Sequence, residues 1–132
     1  MPPQPEQILT HCVFEYYYCD AGNWSTGGAL LLTGNATDAA NSAIAKTLEY
    51  SGSFVAEQIG IPSLCPRHFA DCGATGPDDM DHAYHTFERL RAATQEEISS
   101  LPVFDSLDAL VGRFFATQGR WDVRLSPNVP QW

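Results

Sequence analysis

Five side chains that can bind a metal ion fall within a window of 21 residues near the middle of the chain. They are Cys65, His68, Cys72, His82 and His85. Thiolate and imidazole are ligands that zinc prefers in proteins, so this window holds a candidate zinc site. The spacing of the first three residues is not that of a standard zinc knuckle. A β-strand through the two later histidines would also turn them to opposite faces.

The alternative is that Cys65 and Cys72 are thiols of a loop or of the core, or that they form a disulfide with each other. We favour this alternative, because the spacing is unusual and a chain of 132 residues can bury a core without a metal ion. We therefore predict no cofactor and keep zinc as the second hypothesis.

A second candidate site is the acidic run Asp78, Asp79 and Asp81 that precedes His82. A carboxylate beside a histidine can fix the tautomer in which the imidazole acts as a general base. The alternative is a solvated turn in which the aspartates accept hydrogen bonds from the backbone. The sequence has no nucleophile elbow, phosphate loop, HExxH motif or calcium loop. We therefore keep a small hydrolase with an Asp-His pair only as an alternative to a non-enzymatic role.

Polar residues also concentrate at predicted turns and at one predicted strand start, where a scaffold displays side chains for binding. If these turns converge at one end of the sheet, they form a binding surface. The predicted members of this surface are Asp20, Asn23, Trp24, Glu57, Gln58, Asp81, His82 and His85.

The elements that position these residues begin with a predicted strand over residues 13–19, in which all residues but one are apolar or aromatic. The turn residues 20–23 and the aliphatic run that starts at Gly27 then predict an antiparallel hairpin. Aromatic residues on both faces of the first strand would need cover on both sides, so we expect it to be central. One face would carry Phe14, Tyr16 and Tyr18, and the other Val13, Tyr17 and Cys19.

Two helices are predicted. The first spans residues 38–51, with Thr37 as its N-cap and Gly52 at its end. The second spans residues 106–118, with Asp105 as its cap and Asp108 as the reciprocal partner. Its apolar stripe would consist of Leu107, Leu110, Val111, Phe114 and Phe115.

Two further strands are predicted, over residues 53–56 and 82–90, and the glycine- and proline-rich segment 62–80 between them is predicted to be irregular. Strict alternation in the later strand would place Ala83, His85, Phe87 and Arg89 on one face and Tyr84, Thr86, Glu88 and Leu90 on the other.

These elements predict an α+β fold, with a small, mostly antiparallel sheet of about four strands and two helices packed on it. We interpret residues 1–132 as a single domain. Residues 1–10 would be an extended lead-in, and residues 122–132 a tail that packs on the body of the domain.

Acidic residues outnumber basic ones by 16 to 7, which gives a formal net charge of −9. This charge would repel a nucleic acid backbone and an anionic membrane surface, so we predict neither as a partner. It suits a protein partner with a basic surface. The N-terminal residues lack the charge and the apolar core of a secretory signal, and we therefore expect a cytoplasmic protein.

Four short motifs carry a resemblance to a known family: YYYCDAGNW at 16–24, EQIGIP at 57–62, DHAYH at 81–85 and GRWD at 119–122. In this order they resemble a family of small uncharacterised bacterial proteins without an established activity. Cys19 and Ser25 depart from the basic residues of the family pattern. The resemblance implies an α+β domain whose shared residues cluster at the hairpin turn, the Gln-Ile-Gly turn and the Asp-His strand start.

Our preferred hypothesis from the sequence is a small acidic protein-interaction module, of the immunity, inhibitor or accessory type. This rests on analogy with small acidic proteins that lack catalytic motifs. The alternative is a zinc-binding Cys/His domain or a small hydrolase that uses an Asp-His pair.

Overall fold

The computed structural model describes residues 11–49, 52–74 and 76–129. The predicted lead-in and the last three residues of the predicted tail lie outside this part of the chain. The strands are β1 (His11–Cys19), β2 (Ser25–Thr33), β3 (Ser53–Val55), β4 (Tyr84–Ala92) and β5 (Val103–Ser106). The helices are α1 (Asp38–Ala45), α2 (Cys65–Asp71), α3 (Gln95–Ser100) and α4 (Leu107–Thr117), with short 3-10 helices at Ala56–Ile59 and Val123–Leu125.

The five strands form one sheet in the order β3-β4-β1-β2-β5. All neighbouring pairs are antiparallel except β2 and β5, which are parallel. The predicted α+β class is confirmed, but the sheet has five strands and not four. The missed strand, β5, has only four residues and is too short to show an alternation of apolar and polar residues.

β1 is the central strand, as predicted, and pairs with both β2 and β4. Its side chains Phe14, Tyr16 and Tyr18 are buried on the face that carries the core. On the opposite face Val13 is buried, whereas Tyr17 is only half-buried. The second face of this strand therefore has cover at one end only.

An aromatic cluster joins the sheet to α4. The ring centroid of Phe114 lies 5.9 Å from that of Phe14 and 5.5 Å from that of Phe54. All three rings are fully buried. Ile44 of α1 belongs to the same core. Helices α1 and α4 thus cover one face of the sheet.

The start of α4 differs from the prediction. The N-cap is Ser106, whose hydroxyl accepts a hydrogen bond from the Ala109 N–H, and not Asp105. Asp105 instead forms a 2.5 Å ion pair with Arg113, about two helical turns further along the chain. Phe115 was predicted in the apolar stripe but is 54% exposed, since successive helical residues point about 100° apart.

α1 ends at Ala45 and not at residue 51 as predicted. Lys46 caps the helix, and the Thr47 hydroxyl then donates to the Ile44 carbonyl. Glu49 already forms an isolated β-bridge with Ser53. The helix therefore ends early, and the chain turns back towards β3. The apolar periodicity of the sequence did not indicate this end point.

β4 contains a bulge. Glu15 pairs with Arg89, but the next residue of β1, Tyr16, pairs with Phe87, so that Glu88 is an extra residue. The predicted alternation is wrong beyond this point, because one extra residue reverses the faces of all that follow. Leu90 is consequently buried in the core, and Arg89 lies on the opposite face.

The segment 62–80, predicted as irregular, contains helix α2. The prediction is wrong for these seven residues because it rested on the glycines and prolines of the whole segment, whereas a proline such as Pro66 is compatible with the first helical turn. Gly28 of β2 leaves room for this segment: a Cβ there would lie 2.8 Å from a Leu64 side-chain carbon. Arg67 donates a hydrogen bond to the Gly27 carbonyl and ties α2 to β2.

The C-terminal segment contacts the core through Trp121 and Val129. The indole N–H of Trp121 donates to the Thr47 carbonyl at 2.8 Å, and Val129 is buried. Within the described ranges, no helix has the length and apolar character needed to cross a bilayer.

Candidate functional site

Asp20 directly follows β1 and organises the β1–β2 turn. Its Oδ1 atom accepts hydrogen bonds from the backbone N–H groups of Gly22 (2.8 Å) and Trp24 (3.1 Å). Asn23 adopts a left-handed backbone conformation with φ of 68°, which asparagine tolerates better than most residues. These contacts fix the carboxylate and leave its second oxygen, Oδ2, directed towards α2.

His68 of α2 receives that second oxygen. Its Nε2 atom lies 2.9 Å from Asp20 Oδ2, and its Nδ1 atom lies 2.8 Å from the hydroxyl oxygen of Thr26. The imidazole is only 2% exposed, and the Tyr18 ring meets it edge-on at 4.7 Å. A carboxylate, an imidazole and a hydroxyl thus form a continuous hydrogen-bonded chain, of which His68 and Thr26 are buried.

Cys72 lies four residues after His68 and therefore on the same side of α2. Its Sγ atom is 3.8 Å from His68 Nε2, and the residue as a whole is exposed. One oxygen of Asp20, one nitrogen of His68 and the sulfur of Cys72 all lie within 4.8 Å of one another. In the described part of the chain, no other group of three His, Cys, Asp or Glu side chains is arranged closely enough to hold a metal ion.

Two of these side chains, Asp20 and Cys72, line a cleft of about 470 Å³, and His68 lies buried behind them. The residues that line the cleft are Asp20, Trp24, Asp71, Cys72, Asp78 and Met80. The indole of Trp24 is 68% exposed. Three carboxylates and no basic side chain line the cleft, so its electrostatic potential favours cations.

The pKa of the Asp20 carboxyl is lowered, mainly by the hydrogen bond from His68 and further by the N–H groups of the turn. Desolvation and the nearby carboxylates of Asp20 and Asp71 raise the pKa of the Cys72 thiol. Without a cation the sulfur is therefore a protonated thiol at neutral pH and a weak nucleophile.

His82, predicted both as a metal ligand and as part of the binding surface, connects β1 to the start of β4. Its Nε2 atom is 2.8 Å from the Cys19 carbonyl, and its Nδ1 atom accepts the Tyr84 N–H at 3.1 Å. Because a carbonyl can only accept, Nε2 carries the proton. A metal ion at either nitrogen would have to displace a backbone hydrogen bond.

His85 is fully buried, and both of its ring nitrogens are also occupied. Nε2 accepts the Leu64 N–H at 2.9 Å, and Nδ1 donates to the Ala83 carbonyl at 3.2 Å. Burial lowers the pKa of this imidazole to about 4. The rings of His82 and His85 both contact Tyr18, at 5.1 and 5.6 Å, because His82 precedes β4 and does not take part in its alternation.

Cys65 is the first residue of α2 and is buried. Its thiol points at the His82 carbonyl at 3.9 Å, and burial raises its pKa to about 11. All four cysteines are free thiols, so Cys65 and Cys72 do not form a disulfide. Cys65 therefore lies outside the group formed by Asp20, His68 and Cys72.

The acidic run forms a hydrogen-bonded turn. Asp81 Oδ1 accepts the Tyr18 hydroxyl at 2.6 Å, and Asp81 Oδ2 accepts the Asp78 N–H at 2.9 Å. Asp78 in turn accepts the Met80 N–H, and Asp79 is exposed. These contacts are those expected of a turn in which aspartates accept backbone hydrogen bonds. The Asp81 carboxylate accepts its side-chain hydrogen bond from Tyr18 and not from the imidazole of His82.

Glu57 and Gln58 follow β3 at the end of the sheet where β1 also ends, but they bind the C-terminal segment. Glu57 accepts hydrogen bonds from the side chains of Ser126 and Asn128. Gln58 donates to the Arg120 carbonyl and accepts the Asp122 N–H. The structure thus separates these two residues from Asp20, Asn23, Trp24, Asp81 and His82, which it brings together around the β1–β2 turn.

Sequence reasoning missed Thr26 and did not connect Asp20 with His68 and Cys72. The one local signal was the His-x3-Cys spacing, which places two ligands on one side of a helix. The contact between the turn and α2 spans 48 residues, and no local pattern encodes it.

The four motifs that resemble a bacterial family lie at the hairpin turn, at Ala56–Ile59, at the start of β4 and near the end of α4. Membership of that family stays a prediction. No protein-family model, curated protein or solved structure matches this chain.

Proposed function

We propose that this protein binds a divalent transition-metal ion through Asp20, His68 and Cys72, and that zinc fits the site best. One observation carries the proposal: an oxygen, a nitrogen and a sulfur donor from two distant segments lie within 4.8 Å of one another. Carboxylate, imidazole and thiolate are the three ligand types that zinc takes in proteins.

The separations already approach those of a zinc site. Ligands at zinc bond lengths in tetrahedral geometry lie about 3.3–3.8 Å apart. The distances from His68 Nε2 are 2.9 Å to Asp20 Oδ2 and 3.8 Å to Cys72 Sγ. Small rotations of the carboxylate and the exposed thiol would admit the ion, while the buried imidazole stays in place.

Thr26 supports this role for His68. A histidine that binds a metal through Nε2 carries its proton on Nδ1 and usually donates it to an oxygen, which fixes the orientation of the ring. The Thr26 hydroxyl is 2.8 Å from Nδ1 and can accept that proton. The ion would then replace the proton that Asp20 and Nε2 share.

Three protein ligands leave one position of a tetrahedral ion open, which is the arrangement of catalytic zinc sites. Asp20 and Cys72 both line the cleft, so the open position would face it. A water molecule bound there would be acidified by the ion. The hydrolase alternative thus has its best support at this site, and not at Asp81 and His82.

The experiment is a titration of untagged protein with Zn²⁺ against a chromophoric chelator, under reducing conditions. We expect about one equivalent to bind, and we expect Cys72→Ser and His68→Ala to abolish this binding. Cys19→Ser is the matched control, because Cys19 lies next to Asp20 but outside the group. Equal affinity in wild type and Cys72→Ser would contradict the proposal.

A second candidate function is the capture of a basic protein. It is supported by the exposed Trp24 indole beside Asp71 and Asp78 at the cleft, because an aromatic ring flanked by carboxylates suits a cationic side chain. Trp24→Ala should then abolish partner capture and leave the zinc affinity unchanged. Capture that is unaffected by Trp24→Ala and by Asp71→Lys would exclude the cleft as the docking surface.

A further inference from the structure

Met80 brings a thioether sulfur to the cleft that holds the metal-binding group. It lines the cleft together with Asp20 and Cys72. The position that a Cβ on Gly22 would occupy is 3.3 Å from Met80 Sδ and 3.3 Å from Asp20 Oδ1. Met80 Sδ and Asp20 Oδ1 are therefore separated by no more than the sum of these two distances, and the other oxygen of the same carboxylate, Oδ2, faces His68.

Two hydrogen bonds fix the backbone of Met80 beside the turn. Its carbonyl accepts the Ala21 N–H at 3.0 Å, and its N–H donates to Asp78 Oδ1 at 2.9 Å. The side chain is 49% exposed. Three rotatable bonds allow an unbranched thioether to adjust its position over a distance of this size.

We propose that Met80 supplies a fourth, thioether ligand to the site formed by Asp20, His68 and Cys72, and that it shifts the selectivity of this site towards Cu⁺. The inference rests on the proposed metal-binding function. A thioether is a soft ligand that suits Cu⁺, whereas zinc in proteins takes thiolate, imidazole and carboxylate ligands. With Met80, two of the four donors are soft sulfurs.

The two ions use the open position of the site differently. Zn²⁺ binds Asp20, His68 and Cys72 and keeps water in the fourth position, because a thioether is a poor ligand for it. Cu⁺ draws the Met80 sulfur into that position. The selectivity of the site for one ion over the other is therefore set by a residue that Zn²⁺ does not need.

The test compares wild type with Met80→Leu, which preserves side-chain volume and removes only the sulfur. Cu⁺ affinity is measured anaerobically by competition with bicinchoninate, and Zn²⁺ affinity by competition with a zinc chelator. We expect Met80→Leu to weaken Cu⁺ binding by about tenfold or more and to leave Zn²⁺ binding within about twofold. Equal Cu⁺ affinity in the two proteins would overturn the inference.

Asp71→Asn is the matched control, since Asp71 lines the same cleft but offers no soft ligand. Loss of the Asp71 charge should weaken the binding of Zn²⁺ and of Cu⁺ alike. Loss of the Met80 sulfur should weaken the binding of Cu⁺ only. If wild type binds Zn²⁺ and Met80→Leu has the same Cu⁺ affinity as wild type, the role of Met80 is refuted and the zinc site is not. A wild type that binds neither ion refutes the metal site as well.

Selenomethionine gives a direct readout that does not depend on affinity. Replacing the sulfur of Met80 by selenium leaves the fold unchanged, and X-ray absorption at the selenium edge of the Cu⁺ complex should then show a copper–selenium distance. The same measurement on selenomethionine-labelled Met80→Leu, which retains only Met1, should show none. Absence of that distance in the labelled wild type would overturn the inference.

Discussion

The Thr26 hydroxyl lies 2.8 Å from His68 Nδ1, so that a strand residue orients the imidazole of a helix 42 residues away in sequence. Both side chains are buried. If His68 binds an ion through Nε2, this hydroxyl is the acceptor that holds the required tautomer.

Thr26→Val should therefore weaken Zn²⁺ binding by about 10- to 100-fold, as is typical for the loss of a partner that orients a metal ligand. The substitution keeps the shape of the side chain and removes the hydroxyl. Thr47→Val is the matched control, since Thr47 is equally buried but bonds the Ile44 carbonyl. Chelator competition measures both, and equal zinc affinities in the two variants would exclude an orienting role for Thr26.

Phe114→Ala should lower the free energy of unfolding by about 3–5 kcal/mol, because it removes a fully buried ring from the aromatic cluster. Phe115→Ala on the same helix should change it by less than about 1 kcal/mol, since Phe115 is 54% exposed. Urea denaturation measures both values. A midpoint of Phe114→Ala equal to that of wild type would show that the ring is not part of the core.

His85 should make the fold sensitive to mild acid. Burial lowers the pKa of its imidazole from 6.5 to about 4 in the folded state, so the unfolded chain binds more protons between these two values. Stability is therefore fully present above pH 6.5 and is lost as the pH falls towards 4. From pH 7 to pH 5 the free energy of unfolding should decrease by about 2 kcal/mol on account of this group.

Urea denaturation at pH 7 and pH 5 checks this expectation, with His85→Gln as the comparison. The variant should be less stable than wild type at pH 7, because the hydrogen bonds to Leu64 and Ala83 are perturbed. Its further loss between the two pH values should be smaller. An equal loss in both proteins would assign the acid sensitivity to other groups.

Tyr18→Phe should lower the free energy of unfolding by about 1–3 kcal/mol. The substitution removes a hydroxyl that donates to Asp81 Oδ1 and accepts the His82 N–H. The His82 amide should also exchange faster with solvent. Tyr17→Phe is the control, since Tyr17 is a half-buried tyrosine on the opposite face of the same strand. Unchanged His82 exchange in Tyr18→Phe would show that the hydroxyl does not hold the acidic turn.

The sequence predicted the parts of the fold that are specified locally. The β1–β2 hairpin follows from an apolar run, a turn and a second apolar run, and α4 follows from its helical periodicity. The bulge at Glu88 was not predictable in the same way, because cross-strand register decides it and not the residues of β4 alone. Helix α2 was missed because it has only seven residues and lies in a segment rich in glycine and proline.

The candidate site was only partly predictable, because it depends on a contact between two segments that are distant in sequence. Residue type identified His68 and Cys72 as possible ligands, and turn chemistry drew attention to Asp20. The sequence does not indicate which turn contacts which helix. Asp20 was therefore assigned to the binding surface, and His68 and Cys72 to the zinc site. His82 and His85 were candidates by type, and only their backbone partners in the folded chain show that both rings are already occupied.

The bulge in β4 also determines where this chain tolerates a change of length. Removal of Glu88 alone would turn β4 into a regular strand in which Phe87 and Leu90 still point into the core and Arg89 still points away from it. Removal of Thr86, two residues earlier, would instead change which face the preceding residues of the strand occupy. A single-residue deletion in β4 should therefore be far better tolerated at Glu88, whose exposed side chain contributes nothing to the core, than at Thr86.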